Sequence, residues 1–349
     1  MIFTSDNWAG AHPAIADALN RNAGGFAAAY GASELDRKVE RSFNDIFGQE
    51  VAVFFVGTGT AANSIALASA SRPGGVAFCH SHAHIMEDEC GAPEFFSGGT
   101  RLAPVHGPSG KMNPEALINT IARYPADFIH HGQPVAISLT QATESGTVYT
   151  RPEIRTISNI AHDNGLVMHM DGARFANALV ALDLTPREMT VESGVDILSF
   201  GGTKNGCWCA EALVVFNPEK AKQIPYLRKR GAQLFSKSRF IAAQFAGYFE
   251  NGLWLELAHH SNAMADLLRQ GLAASNRARL AWDSQANELF IILPHETTAR
   301  LRENGAKFYD WPIPVDCPVV PNADEGLFRL VTSFATTRDD VERFVDFLD

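Results

Sequence analysis

The chain has 349 residues, a formal net charge of −10, 46% hydrophobic residues and 19% charged residues. That composition excludes wholesale disorder and supplies enough apolar material for two units, or for one large unit with a smaller cap. The acidic balance, with no lysine–arginine run, argues against non-specific nucleic-acid binding, and the lack of an apolar stretch of about 20 residues argues against a membrane crossing.

Taken in chain order, residues 51–56 are apolar throughout and predict a strand buried on both faces. A glycine–threonine loop and a helix over 60–70 follow, then a short strand over 76–79. Asn113-Pro114-Glu115 opens a helix, with asparagine as cap and proline at the first helical position. Residues 134–139 read as a strand, 151–164 as a helix ended by Gly165, 166–171 as a strand, and 174 onward as a helix. Strands over 195–200 and 212–216 complete a βαβα series. Such a series implies an α/β fold whose large domain is a mainly parallel sheet covered by helices. After about residue 220 the pattern changes. Helices over 228–250 and 256–272, strands over 289–293 and 327–332, and a helix from 338 form a smaller C-terminal α/β unit. The expected division is 1–245, including the N-terminal segment, and 246–349.

The five cysteines, Cys79, Cys90, Cys207, Cys209 and Cys317, are odd in number, so reduced thiols are expected. Cys207-Trp208-Cys209 lacks the C-x-x-C spacing of a zinc site. The opening residues show no cationic segment followed by an apolar one, which makes the cytoplasm the expected location.

In an open parallel sheet, ligands bind beyond the carboxyl ends of the strands, and four segments fall at such ends. Gly57-Thr58-Gly59-Thr60-Ala61-Ala62 permits a tight turn, and the helix after it offers unpaired N–H groups and a positive dipole end to a phosphate. The segment also matches the dinucleotide pattern G-x-G-x-x-A. However, the next strand ends in Cys79-His80-Ser81, without the carboxylate that pattern requires. His80, His82 and His84 alternate as metal ligands do in some hydrolases, yet one short run supplies few ligands. A histidine used for stacking or proton transfer is the favoured reading, and no metal is expected. Asp171 ends an apolar strand, where an unpaired carboxylate is costly. Its partner is either Arg174, in a structural pair, or the protonated ring nitrogen of a cofactor. Lys204 follows a buried strand in Gly201-Gly202-Thr203-Lys204-Asn205. A desolvated amine there can attack a carbonyl to form a Schiff base; a surface loop lysine is the alternative. A phosphate cradle, an acid at one strand end and a lysine at a later one are together what pyridoxal phosphate needs.

These residues resemble the low-specificity L-threonine aldolases, pyridoxal-phosphate enzymes of the aspartate-aminotransferase fold type. The resemblance rests on Ser5-Asp6-Asn7, the Gly57–Asn63 segment, Ala83-His84, the run from Asp88 to Phe96, and Thr140–Glu144. It continues through His169–Phe175, Phe200–Gly206 and Phe328–Thr332, in family order over nearly the whole chain. It implies that Lys204 carries the cofactor, Asp171 pairs with the pyridine nitrogen, and His84 stacks on the ring and is a candidate for acid–base work. It also implies that Gly59 and Thr60 hold the phosphate and that Arg174 lies near the cofactor's phenolic oxygen and the substrate. Ser5 and Arg329 would grip the substrate carboxylate. The basic segment with Arg228, Lys229 and Lys237 would reach a neighbouring subunit's phosphate, in a homo-oligomer with shared sites, expected to be a tetramer built as a dimer of dimers. One departure is that Glu144 stands where many members have a histidine over the substrate side chain. His130 or His131 could compensate for it, although an exposed loop histidine is the commoner reading of either. Phe96, Tyr30 and Phe26 are candidates to line the aldehyde pocket, although core packing is the commoner role of such residues.

The activity implied is reversible retro-aldol cleavage of L-threonine, L-allo-threonine and related β-hydroxy-α-amino acids, phenylserine types included, to glycine and an aldehyde. The base for the β-hydroxyl proton is expected to be His84 or a water held by Glu89. β-Elimination, hydroxymethyl transfer or transamination on the same cofactor is the alternative.

Overall fold

The computed structural model describes residues 1–125, 127–314 and 317–348. Seven strands form the main sheet: β1 (Ala52–Val56), β2 (Gly75–His80), β3 (Arg101–Val105), β4 (Gln133–Thr140), β5 (Val167–Gly172), β6 (Ile197–Gly201) and β7 (Glu211–Val215). Their order is β1-β7-β6-β5-β4-β2-β3. β2, β6 and β7 are buried along their whole length, as strands covered by helices on both faces must be. Neighbouring pairs from β6 to β3 are parallel, while β7 runs antiparallel to both β1 and β6. The other six strands therefore point the same way and end at one edge. β7 begins at that edge, so its first residue, Glu211, joins the strand ends. The expected mainly parallel α/β architecture is present.

Two helices precede β1, over Pro13–Arg21 and Glu34–Phe47, and neither was legible in the sequence pattern. The second is set by a Ser33–Asp36 capping box and is stopped by Gly48 in the left-handed region at φ 65°. β3 also escaped notice. It carries Arg101 and Pro104, which suit the sheet edge it occupies and break the apolar pattern of a central strand. The single helix expected over 228–250 is instead two, Ile224–Arg230 and Arg239–Phe249. The chain leaves the first at Gly231 and Ala232, the latter at φ 55°. The intervening loop brings the Gln233 side chain to the Gly57 N–H at 3.0 Å.

The second sheet holds β8 (Arg279–Leu280), β9 (Glu288–Pro294), β10 (Tyr309–Asp310) and β11 (Glu325–Val331), antiparallel throughout in the order β10-β11-β9-β8. Its core joins Leu289, Ile291 and Leu330 to Leu268 of the long helix Leu253–Ala274 and to Phe344 of the helix Arg338–Asp346. Phe3 lies in that core as well, and its N–H donates to the Lys307 carbonyl at 2.8 Å. The first residues thus pack with the C-terminal unit, and residue 245 falls inside the helix Arg239–Phe249.

Phe43 anchors the main core, with its ring 5.1–5.4 Å from those of Phe200, Phe245 and Phe249. Phe43→Ala is expected to destabilise the fold by about 3–5 kcal/mol, measured by denaturant unfolding; a loss below about 1 kcal/mol would show that the ring cluster repacks around the gap.

Candidate active site

A cavity of about 270 Å³ opens at the carboxyl edge of the main sheet, lined by Gly59, Thr60, Asn63, His84, Asp171, Lys204 and Glu211 among others. Each arrives from a strand end. Gly59 and Thr60 begin the helix Gly59–Ala70 after β1, with Thr58 as its cap. The first N–H groups of such a helix have no partner within it. His84 follows β2, Asp171 lies at the end of β5, and Lys204 sits in the turn Thr203–Asn205 after β6.

Asp171 is buried and is held by two donors. Asn63 Nδ2 donates to its Oδ2 at 2.9 Å, and the Ala173 N–H donates to its Oδ1 at 3.0 Å. The same Asn63 nitrogen donates to Glu89 Oε1 at 2.8 Å, and that oxygen also meets His84 Nδ1 at 2.9 Å. One amide therefore ties Asp171 to the Glu89–His84 pair. The Glu89 hydrogen bond raises the His84 pKa above its ordinary value of 6.5, against burial, with Glu144 and Asp171 acting in the same direction as Glu89. Beneath Asp171, on the same face of β5, His169 lies between the hydroxyls of Ser138 at 2.8 Å and Ser199 at 2.9 Å. Burial pushes His169 down to about 4, so it is neutral at pH 7. Glu211 is buried beside the Lys204 turn and accepts from the Thr203 N–H at 3.3 Å. Burial pushes its carboxyl up to about 7, while Thr203 and Lys204 pull it down.

A larger cavity of about 540 Å³ is lined by His82, Glu144, Trp282, Trp311 and Arg329 among others. Its walls are mostly aromatic and aliphatic. The Arg329 guanidinium lies 4.5 Å from the Trp311 ring centroid, and its polar contacts are long, 3.5 Å to the Thr4 carbonyl and 3.7 Å to Glu288. Among the described residues its Nε has no hydrogen-bond partner. These are donors in want of an acceptor.

Arg174 lines neither cavity. Its Nε and Nη2 donate to the two Asp6 oxygens at 2.7 and 3.1 Å, and Nη1 lies 3.1 Å from Glu288 Oε2. Burial would raise the Asp6 pKa, but Arg174 and Lys204 outweigh it and hold the carboxyl below the usual range. Of the two partners considered for Asp171, Arg174 is thus engaged elsewhere, and Asp171 faces the cavity. Ser5 caps the turn Asp6–Trp8, its hydroxyl accepting from the Asn7 N–H at 3.1 Å.

Other expected residues are not brought to the site. His130 is on an exposed loop with its ring 5.1 Å from that of Phe128, because that loop follows a surface helix at the opposite end of β4 from the cavity. Lys229 sits over the Tyr30 ring, and Lys237 lines a separate hollow with Trp208 and Phe235. Phe26, Tyr30 and Phe96 are exposed and line neither site cavity. His80 turns one ring nitrogen to the Gly107 carbonyl at 2.9 Å and accepts from the His82 N–H through the other. Four residues without an assigned role turn out to be central: Asn63, Asp6, Glu211 and Glu288. Glu211 and Glu288 carry a signal, since each opens an apolar strand where a charge needs a partner, whereas Asp6 stands between Ser5 and Asn7 and carries none.

The model of the Beta-eliminating lyase family matches residues 3–293. The chain is 40% identical over 307 residues to the low specificity L-threonine aldolase of Pseudomonas sp. (strain NCIMB 10558), covering 88% of each chain. It is 28% identical to the enzyme of that name from Escherichia coli (strain K12), covering 74% of each. The solved structure of Leishmania major threonine aldolase superposes with a TM-score of 0.91 at 31% identity, over 99% of this chain and 98% of that one. At 15% identity, Sphingomonas wittichii serine palmitoyltransferase superposes with a TM-score of 0.71, which shows a common fold.

Replacing Glu89 by Gln is expected to lower the pH at which the His84 ring titrates, read from ring-nitrogen NMR shifts; an unchanged titration would show that this bond does not govern the charge. Because folding raises the His84 value, the charged pair supports the fold fully below the unfolded value, and that support is lost as pH rises through the folded one.

Proposed function

We infer that this chain, which belongs to the beta-eliminating lyase family and within it to the low-specificity L-threonine aldolases, is a pyridoxal-phosphate-dependent aldehyde-lyase. It cleaves L-threonine, L-allo-threonine and related β-hydroxy-α-amino acids, phenylserine types included, reversibly to glycine and an aldehyde. The observation that carries this reading is Lys204 and Asp171 in one small cavity whose rim is the start of a helix.

The residues fit the cofactor. Each Asp171 oxygen has one donor and retains capacity for another, as a protonated ring nitrogen requires. Gly59 and Thr60 offer a phosphate the positive end of a helix of twelve residues, and an added Cβ at Gly59 would meet nothing within 4 Å, so the approach is open. Lys204 is the amine that would hold the group, and His84 would cover its face. When bound, the cofactor supplies an electron sink for the Cα–Cβ bond.

The chain does the positioning and the proton traffic. Arg329 would take the substrate carboxylate with its underused donors, assisted by Ser5, and so would fix which bond to Cα is presented for cleavage. His84 takes the β-hydroxyl proton, and Glu89 stabilises the charge that forms on the imidazole. Glu144 lines the cavity that holds the substrate side chain and takes the place of the family's histidine. Arg174 acts from behind, by fixing Asp6 and Glu288.

A second copy of the chain completes the picture. Tyr30, Trp208, Tyr226 and Phe95 are 54–82% exposed. The Tyr30 N–H donates to the Ser236 carbonyl at 3.0 Å, and Trp208 and Phe235 line one apolar hollow, so part of this aromatic surface is continuous. Phe235 also lies against Gly57, which brings that surface to the edge of the cofactor cavity. Exposed apolar surface of this kind marks an interface. We place a homo-oligomer there, a tetramer as a dimer of dimers, with Lys229 and Lys237 serving the neighbour's site. No described helix is long and apolar enough to cross a membrane, and the free thiols of the five cysteines suit a cytoplasmic protein.

Protein loaded with pyridoxal phosphate is expected to convert L-threonine to equal amounts of glycine and acetaldehyde, and Lys204→Ala to lose the cofactor's visible absorption together with a factor on the order of 10³ or more in rate. Ammonia and a keto acid as the main products, or full turnover without the lysine, would overturn the reading.

A further inference from the structure

Glu288 opens β9 with no exposed surface, and among the described residues neither of its carboxylate oxygens finds a hydrogen bond of good geometry. Its charge is instead shared by two arginines. Oε2 lies 3.1 Å from Arg174 and Oε1 lies 3.7 Å from Arg329. A buried carboxylate held only by charge and not by hydrogen bonds is expensive unless it has a use. The charged groups facing it come from every element around it: Arg174 after β5, Asp6 from the N-terminal turn, Arg329 from β11, and Glu144 from the loop after β4. On the remaining side, Arg269 of the long helix donates to the Glu288 backbone carbonyl at 3.4 Å and to that of Ala286 at 2.6 Å, leaving the Glu288 side chain to the other four.

The balance among those four is delicate. Arg174 is committed to Asp6 through two hydrogen bonds, and among the described residues Glu288 is the carboxylate within 4 Å of Arg329. Asp6 and Glu288 together neutralise Arg174 and Arg329. A substrate carboxylate seated on Arg329 brings a third negative charge into the same buried cluster, with Glu144 close by. The least costly remedy is a proton.

We propose that Glu288 is the resident counter-carboxylate of Arg329, and that it takes up one proton from solvent each time a substrate carboxylate replaces it there. Burial already pushes its carboxyl above the usual range, with Arg174 and Arg329 opposing and Glu144 and Asp6 reinforcing, so the group is poised for the change. The proposal deepens the reading of Arg329 as the carboxylate clamp and rests on it. In this role Glu288 is a positioning residue. It holds the Arg329 guanidinium in place before substrate arrives and gives up its claim by becoming neutral.

The test uses the holoenzyme and propionate, a carboxylate without an amine, so that no chemistry at Lys204 enters. In the wild type, calorimetry in buffers of different ionisation enthalpy is expected to show uptake of about one proton per propionate bound at pH values above the Glu288 titration. Inhibition of threonine cleavage by propionate should weaken by about tenfold per pH unit in that range. In Glu288→Gln the uptake and the pH slope should both vanish. No proton uptake in the wild type overturns the proposal without any variant, and so does uptake that survives in Glu288→Gln, which would implicate Glu144. If Arg329→Ala binds propionate as well as the wild type, the clamp itself is wrong and the proposal falls with it. If Arg329→Ala loses binding while the wild type takes up no proton, the clamp stands and the proposal alone fails.

Discussion

The site is organised around one buried amide. Asn63 spends its side-chain nitrogen on two carboxylates, Asp171 on one side and Glu89 on the other, and Glu89 passes the contact on to His84. Two carboxylates drawn together in a buried pocket repel each other, and one of them would normally take a proton. Here the pair shares one N–H donor, and an imidazole whose pKa is raised lies at the far end. The result is a pocket with a negative charge fixed at its floor and a titrating ring at its wall. Asn63 sits four positions after Gly59, one turn into the helix whose start forms the anion cradle, so cradle and charge relay are rigidly linked.

A second constraint joins the two units of the fold. Residues Ile2 and Phe3 pair with Lys307 and Phe3 packs in the C-terminal core, yet Asp6, only three residues on, is clamped by Arg174 beside the main sheet. Asn287 reinforces this by donating to Asp6 at 3.2 Å and to the Thr332 carbonyl at 2.7 Å. The N-terminal strand-like segment is thus a tether across the boundary, and the groups it fixes surround Arg329. An arginine that must present a carboxylate at a set angle gains from a rigid frame of this kind.

Much of this was legible in the sequence, for a physical reason. Asp171 and Lys204 stand at the ends of strongly apolar strands, where a charged side chain is costly unless it has work, and the Gly57–Thr60 turn advertises its helix start through composition alone. The antiparallel β7 was found as a strand by its apolar run, although nothing local reports direction. What could not be read depends on distance in space. Asp6, Arg174 and Glu288 are far apart in the chain, and only the folded register places the Arg174 guanidinium within 3.1 Å of both carboxylates. His130 sits on an exposed loop, the commoner of the two readings open to it, because a loop histidine looks the same in sequence whether the loop faces a site or water. The break in the expected helix over 228–250 was hidden because Gly231 is tolerated inside helices. Its significance lies in Gln233 and Phe235, which the resulting loop carries to Gly57.

The two cavities divide the chemistry between them. The smaller holds every group suited to a covalently held, charged heterocycle and is lined by polar side chains and glycines. The larger is walled by Trp282, Trp311 and prolines, with Glu87, Asp88, Glu144 and Arg329 as its charged features. An amino acid lying across both would set its amine towards Lys204, its carboxylate on Arg329 and its side chain among the indoles. A pocket wall of that kind grips apolar surface without naming a shape, because dispersion and area burial discriminate weakly between substituents. On the proposed placement, broad tolerance of the aldehyde portion would follow from the same arrangement that is strict about the α-carbon. The strictness comes from charge and hydrogen bonds fixed on rigid elements, and the tolerance comes from an aromatic wall that asks only for contact.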